Sequence, residues 1–160
     1  MKFVNWCGII ILTISLNAQA QEIELIKFQE LDNIIQDNNS IKVINFWATW
    51  CKPCIEEIPF FEALNKQYAD ENVEVYLISF DFGDDALKKV NYFVTKRGID
   101  SKVLILNETD FNDFINRIDP SWSGAIPATL LVDNIRGKKS FYEKQFGSGE
   151  LEEIFKKFIN

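Results

Sequence analysis

The segment from Ile41 to Cys54 places the strongest constraint on how this chain can fold. Residues 41–48 (IKVINFWA) are rich in β-branched and aromatic side chains and carry few charges, which is typical of a strand covered on both faces. The segment then reaches Cys51 and Cys54 and continues into helical apolar spacing over residues 55–68. A covered strand that leads directly into a helix favours an α/β fold.

The remaining apolar patterns alternate between strands and helices. Strands are predicted at Glu22–Phe28, Val73–Phe80, Lys102–Leu106, Thr129–Val132 and Lys139–Phe146, and helices at Glu30–Asp37, Asp84–Arg97, Asp110–Ile118 and Gly149–Ile159. Pro59 is expected to kink the helix over residues 55–68 or to delay its regular part, and Ser148 is a candidate N-cap for the last helix. Helices between successive strands predict a mixed central β-sheet with helices on both faces.

The first twenty residues have the pattern of an export signal. Lys2 provides a positive start, residues 8–16 (GIIILTISL) form a short apolar run, and Ala18-Gln19-Ala20 resembles a signal peptidase site. The run is shorter than the ~20 apolar residues needed to span a bilayer. We therefore expect residues 1–20 to be a cleaved signal peptide that takes Cys7 with it, and residues 21–160 to be one compact domain in the periplasm. An uncleaved anchor is the alternative.

Composition excludes several functions. Without Lys2 the chain has 16 basic and 24 acidic residues, so its formal charge moves from −7 to −8. An acidic chain without a basic run argues against nucleic acid and anionic membrane as partners. The chain has no histidine, which excludes Ser-His-Asp and Cys-His catalysis.

Three explanations compete for the pair Cys51 and Cys54. As a structural staple, the disulfide closes so short a loop that it contributes only ~2 kcal/mol in the chain-entropy model. A zinc site needs about four ligands, and this chain offers two thiolates and no imidazole, so no metal is expected within one chain. A zinc site shared between two chains remains an alternative.

A reactive dithiol accounts for more of the sequence. Cys51 falls where the strand gives way to a helix, and the unpaired N–H groups of a helix N-terminus favour a thiolate, lowering its pKa from about 8.5 towards ~3.5–7.5. Cys51 is then the nucleophile, and Cys54, one turn into the helix, is the resolving thiol. Pro53 suits the first turn of a helix. Lys52 either supports the thiolate or is an ordinary solvated side chain.

The chain resembles the thioredoxin superfamily in three motifs: FWATWCKPC at residues 46–54, Pro59 five positions after the second cysteine, and GAIPAT at residues 124–129. With Glu57 included, it is most similar to the exported, TlpA/ResA-like thiol-disulfide oxidoreductases. This resemblance implies a thioredoxin-like fold, a cis Ile126–Pro127 bond facing the dithiol, and a backbone at Ile126 that can pair with an extended substrate strand.

The resemblance also assigns roles to further residues. Glu57 would handle protons or tune the thiols, with a solvated helix-face acid as the alternative. Asn45 stands where cytosolic thioredoxins carry a buried aspartate, so proton transfer from Cys54 would use Glu57, water or the substrate thiolate. Trp47 is expected in the core, and Trp122 is expected to border the substrate groove. The expected substrate-binding surface comprises Trp50, Lys52, Pro53, Ile126 and Pro127.

These features predict an exported protein-disulfide reductase that needs no cofactor beyond the Cys51–Cys54 disulfide. The Lys-Pro pair between the cysteines lacks the histidine of strongly oxidising relatives, which favours reduction. The expected partners are a membrane-embedded electron donor and exported thiol proteins such as apocytochrome c, with the enzyme a monomer. Residues 110–123 are a candidate specificity segment. The alternatives are a non-catalytic binding module that uses the cis-proline groove and a thiol peroxidase of the same fold, whose Pro-x-x-x-Thr-x-x-Cys pattern is absent.

Overall fold

The computed structural model describes residues 22–110 and 112–160, and the predicted signal segment lies outside them. Its elements, in chain order, are β1 (Glu24–Ile26), α1 (Phe28–Gln36), β2 (Ile41–Trp47), α2 (Lys52–Gln67), β3 (Val73–Ser79), α3 (Ala86–Arg97), β4 (Lys102–Leu106), α4 (Asn112–Ile118), β5 (Ala128–Asp133), β6 (Lys138–Tyr142) and α5 (Glu150–Ile159). The predicted order of strands and helices is confirmed. No helix within the described ranges is long and apolar enough to cross a membrane.

The six strands form one mixed sheet in the order β1-β4-β3-β2-β5-β6. Strands β1, β4, β3 and β2 are parallel, whereas β5 is antiparallel to both β2 and β6. In the central pair, Ile41 is opposite Val73 and Trp47 is opposite Ser79. The chain segments that follow β2 and β3 therefore leave the same edge of the sheet side by side, where α/β folds place their functional sites.

Helices cover both faces of the sheet and bury two apolar layers. One layer packs α2, α3 and α5 against the sheet and includes Phe61, Val90 and Phe155. The other packs α1 and α4 against the opposite face and includes Leu31 and Phe114. The central strands lie between the layers: every residue of β5 is buried, and in β2 only the first residue, Ile41, is not. This burial explains why the central strands have continuous apolar runs.

Several element ends differ from their predicted positions. Helix α1 starts at Phe28, and the carboxylate of Glu30 in its first turn accepts a hydrogen bond from the N–H of Lys27 at 2.8 Å. Helix α2 starts at Lys52 and continues through Pro59, so the delayed start was wrong. Ser148 is not the cap of α5: Gly149 occupies that position at φ 77°, a left-handed conformation that glycine adopts without strain.

Candidate active site

The two cysteines lie where β2 ends and α2 begins. Cys51 caps α2 with extended backbone angles (φ −90°, ψ 97°), and its Sγ accepts a hydrogen bond from the N–H of Cys54 at 3.4 Å. Lys52 and Pro53 are the first helical residues, and proline fits there because first-turn N–H groups have no partner inside the helix. The sulfur of Cys51 therefore lies at the positive end of α2, where a thiolate is stabilised.

Cys51 and Cys54 are joined in a disulfide, with their Cα atoms 5.3 Å apart. Cys51 keeps 7% of its surface exposed, whereas Cys54 is fully buried. Solvent therefore reaches the disulfide from the Cys51 side. In residues 22–110 and 112–160, no three His, Cys, Asp or Glu residues are grouped so that they could hold a metal ion.

The loop before β5 faces the disulfide. The Ile126–Pro127 peptide bond is cis, as predicted. The Sγ of Cys51 lies 3.9 Å from the carbonyl oxygen of Ile126. A disulfide sulfur carries no hydrogen, so this is a contact in the oxidised form, and only a reduced Cys51 thiol could donate across it. The N–H of Ile126 makes no hydrogen bond to any described residue, which leaves it available to another chain.

Glu57 is a buried carboxylate on the same helix as the disulfide, one turn after Cys54. Its Oε1 accepts a hydrogen bond from the side-chain amide of Asn45 at 2.8 Å, and its Oε2 accepts one from the backbone N–H of Phe146 at 2.8 Å. Burial raises the pKa of Glu57 from 4.5 to about 7, although both hydrogen bonds oppose the increase. The alternative of a solvated helix-face acid is wrong, because Glu57 has no exposed surface.

Asn45 connects Glu57 to β5. Its Nδ2 donates not only to Glu57 but also to Thr129 Oγ1 at 3.1 Å and, more weakly, to the carbonyl of Ala128 at 3.4 Å. Its Oδ1 is buried and has no hydrogen-bond partner among the described residues. Because an amide does not titrate near neutral pH, Glu57 is the group in this cluster that can exchange a proton.

Trp50 and Lys52 flank the disulfide and face solvent. Trp50 is 62% exposed, so its ring is free to contact another molecule. The ammonium of Lys52 lies 3.8 Å from Glu56, and its side chain is 88% exposed. An exposed pair of this kind contributes little energy. The geometry thus shows Lys52 directed towards Glu56 and water.

Asp81 fixes the turn that carries Trp50, a role that the sequence did not predict. This buried residue follows β3 and accepts hydrogen bonds from the N–H of Thr49 at 2.8 Å, from the Thr49 hydroxyl, and from Ser79 Oγ at 2.8 Å. An acidic residue directly after an apolar strand was the available signal. Asp81 ties the segment after β3 to the segment that leads into Cys51.

Two tryptophans support the site from within the fold. Trp47 is fully buried, as predicted, and packs on Phe93 with ring centroids 5.1 Å apart. Trp122 is 3% exposed, so the expectation that it borders the groove was wrong. Its ring packs against Phe46 with ring centroids 4.7 Å apart, and its indole N–H donates to the carbonyl of Ala125 at 2.8 Å. Trp122 therefore holds the cis-proline loop from its buried side.

Comparison with known proteins places the chain in a family. The AhpC/TSA family profile matches residues 13–137. The chain belongs to the AhpC/TSA family. The thioredoxin-like protein YneN of Bacillus subtilis is 36% identical over 88 residues, 54% of this chain and 51% of YneN. The thiol-disulfide oxidoreductase ResA of Bacillus thuringiensis is 33% identical over 91 residues, 56% of this chain and 47% of ResA. The chain spans about half the length of these curated relatives.

Solved structures confirm that this AhpC/TSA family member has a thioredoxin-like fold. A thioredoxin-family thiol:disulfide interchange protein from Chlorobium tepidum superposes with a TM-score of 0.62 at 21% identity, covering 77% of this chain and 82% of that one. StoA from Bacillus subtilis superposes with a TM-score of 0.56 at 17% identity, covering 74% of this chain and 84% of StoA. At such identities the likeness establishes the fold alone.

Proposed function

We propose that this protein is an exported thiol-disulfide oxidoreductase that reduces protein disulfides through Cys51 and Cys54. The observation that carries the proposal is the asymmetry of the disulfide. Cys51 lies at the helix N-terminus, reaches the surface and contacts Ile126, whereas Cys54 is buried one turn before Glu57. A structural staple needs no such difference between its two sulfurs, but a nucleophile and a resolving thiol do.

The reaction begins with the reduced enzyme. The Cys51 thiolate attacks one sulfur of a substrate disulfide, forms a mixed disulfide and releases the other substrate sulfur as a thiolate. The Cys54 thiolate then attacks the Cys51 sulfur, closes the Cys51–Cys54 disulfide and releases the second substrate thiolate. Two electrons pass from the enzyme to the substrate, and the two substrate thiolates take up protons.

Cys54 must lose its proton inside the protein. Glu57, with a pKa of about 7, is partly ionised at neutral pH and can accept that proton directly or through water. Asn45 and the Phe146 N–H hold both carboxylate oxygens of Glu57 and so fix the orientation of the acceptor.

Location and partners are part of the same proposal. The signal-like residues 1–20 support export to the periplasm, and the Lys-Pro pair between the cysteines supports reduction. A membrane-embedded dithiol donor would reduce the oxidised enzyme again, because an oxidising compartment supplies no soluble reductant. Exported thiol proteins, with apocytochrome c as one target, are the proposed substrates, and the enzyme acts as a monomer without nucleic acid.

Insulin reduction with dithiothreitol as electron source tests the activity. The wild-type chain should accelerate precipitation of the reduced insulin chains, and Cys51→Ser should abolish the acceleration. In a separate reaction without dithiothreitol, the reduced Cys54→Ser variant should accumulate a mixed disulfide with insulin, and added dithiothreitol should then release it. In the chain with residues 1–20 retained, Cys7→Ser is the control for a cysteine outside the pair and should keep full activity. A Cys51→Ser variant with wild-type activity would overturn the mechanism.

Two further measurements separate the alternatives. A disulfide that dithiothreitol does not reduce, combined with partner binding that is independent of oxidation state, would identify a binding module. Peroxide turnover would identify a thiol peroxidase. A reduction potential as oxidising as about −120 mV would reverse the proposed direction of electron flow.

A further inference from the structure

The loop that presents Ile126 is held by a carboxylate from another part of the chain. Glu143 directly follows β6 and lies 18 to 20 positions after the loop. Its Oε2 accepts a hydrogen bond from the N–H of Ser123 at 3.0 Å. Its Oε1 accepts one from the N–H of Ala125 at 3.1 Å and another from the Ser123 hydroxyl. One side chain thus binds three donors within three consecutive residues.

The backbone of this loop is shaped to fit the carboxylate. Gly124 lies between the two bonded residues at φ 92°, a left-handed conformation that favours glycine. A left-handed residue at this point lets the N–H groups on either side converge on one anion. A Cβ at position 124 would only touch Ile115 Cδ1 at 3.6 Å, so conformation, not space, explains the glycine.

Glu143 and Trp122 together use both backbone groups of Ala125. Glu143 binds its N–H, and the indole of Trp122 donates to its carbonyl. The next N–H along the chain, that of Ile126, stays unpaired within the described residues. The loop is therefore fixed up to the residue that faces Cys51, and the free donor comes immediately after the fixed part.

We propose that Glu143 is a positioning residue that holds the cis-proline loop in the conformation that binds extended protein substrates. The proposal rests on the proposed function and deepens it. Without the carboxylate, the N–H groups of Ser123 and Ala125 turn to water, and the exposed loop must be ordered again each time a substrate strand pairs with Ile126. The chemistry at Cys51 does not depend on that ordering.

An ionised carboxylate suits this role because it only accepts hydrogen bonds, and all three groups that face it are donors. The Ser123 hydroxyl, first among several hydrogen bonds to the loop, lowers the pKa of Glu143. Glu143 therefore remains an acceptor throughout the neutral range, and no proton transfer is assigned to it.

The test compares protein and small-molecule disulfides in the full chain. Glu143→Ala should raise KM for insulin about tenfold with little change in kcat, because the lost interaction is one of substrate binding. The reduced variant should react with 5,5′-dithiobis(2-nitrobenzoic acid) at the wild-type rate, since this small disulfide pairs with no strand. The reduction potential should also be unchanged.

Glu143→Gln provides a graded second variant. Its single amide oxygen can still accept from the Ser123 hydroxyl and from Ala125, but the Ser123 N–H then faces an amide donor. We expect a rise in KM of about threefold, between wild type and Glu143→Ala. This variant keeps the test open if Glu143→Ala does not fold.

Glu62→Ala is the matched control, because Glu62 also accepts two backbone N–H bonds, from Asp100 and Ser101, at a turn that does not belong to the cis-proline loop. It should leave KM for insulin unchanged. The proposal is overturned if the Glu143 variants keep the wild-type KM, or if they slow insulin and the small disulfide equally. A wild-type chain that reduces neither substrate would instead refute the proposed function.

Discussion

Replacing Glu57 with glutamine should make the oxidised protein more stable at alkaline pH than the wild type. Glutamine keeps the size of the side chain but carries no charge. Its oxygen can accept the Phe146 N–H, and its amide can donate to Asn45 after that side chain turns its unpartnered Oδ1 towards position 57. After this rotation the Thr129 hydroxyl can donate a hydrogen bond to Asn45 Oδ1. The substitution therefore removes a buried charge and keeps the hydrogen bonds at position 57, although the turned Asn45 amide loses its weak bond to the Ala128 carbonyl.

The sign follows from the raised pKa. Glu57 has a pKa of about 7 in the folded protein against 4.5 as an ordinary glutamate. Between these values the folded protein binds more protons than the unfolded chain, so the free energy of unfolding falls as the pH rises. Each tenfold difference in proton affinity corresponds to about 1.4 kcal/mol, which gives a total loss of about 3 kcal/mol by pH 8. Below pH 4.5 this contribution to stability is fully present.

Urea unfolding of the disulfide-bonded wild type and Glu57→Gln at intervals from pH 4 to pH 8.5 measures this loss. Near pH 4 the difference between the urea midpoints of the two proteins should be nearly constant. By pH 8 the midpoint of Glu57→Gln should have risen by about 1 M or more relative to that of the wild type. Other titrating groups cancel in the difference if they do not interact with Glu57. Glu56→Gln, an exposed neighbour, should show no such trend. A difference independent of pH would refute the assignment of a raised pKa.

Two further substitutions test the loops around the disulfide. Asp81→Ala leaves the half-buried Thr49 N–H and the buried Ser79 hydroxyl without their acceptor, so urea unfolding should show a loss of about 2 kcal/mol or more, and retention of full stability would contradict the role of this network. Gly124→Ala should cost about 1–2 kcal/mol because alanine is strained at φ 92°, with Gly137→Ala, at another left-handed glycine (φ 65°), as the control. Only the Gly124 variant should also raise KM for insulin, and equal kinetics in both variants would separate the loop from substrate binding.

The fold could be predicted because most of its strands and helices are determined by short segments of the sequence. The strand at residues 41–47 and the helices α3 and α5 have patterns that need no knowledge of the rest of the chain. Where prediction was wrong, a distant residue decides the outcome. Phe28 was assigned to a strand, but it opens α1, and its N–H donates to Glu108, 80 positions later, at 2.7 Å. Phe146 was likewise predicted to be part of the last strand, but β6 ends at Tyr142 and the Phe146 N–H donates to Glu57.

In the site, too, the residues in local motifs were predicted and the residues that act through distant contacts were not. The motif around Cys51 and Cys54 and the cis bond at Pro127 were found from short motifs and from resemblance. Asp81 and Glu143 were missed, because each acts on backbone N–H groups that any residue type supplies. Such partners leave no pattern in the sequence of the bound segment, and only the folded arrangement brings them together.

The two outer strands, β1 and β6, bear on self-association through the sheet edges. A protein that recruits extended segments through exposed backbone risks recruiting copies of itself at its sheet edges. Here one margin, β1, has three residues, and the other, β6, carries Lys138 and Lys139, whose ammonium groups are bound to the carbonyls of Phe158 and Ile118. Short or lysine-bearing margins discourage the pairing of chains along the sheet edges and their growth into fibres.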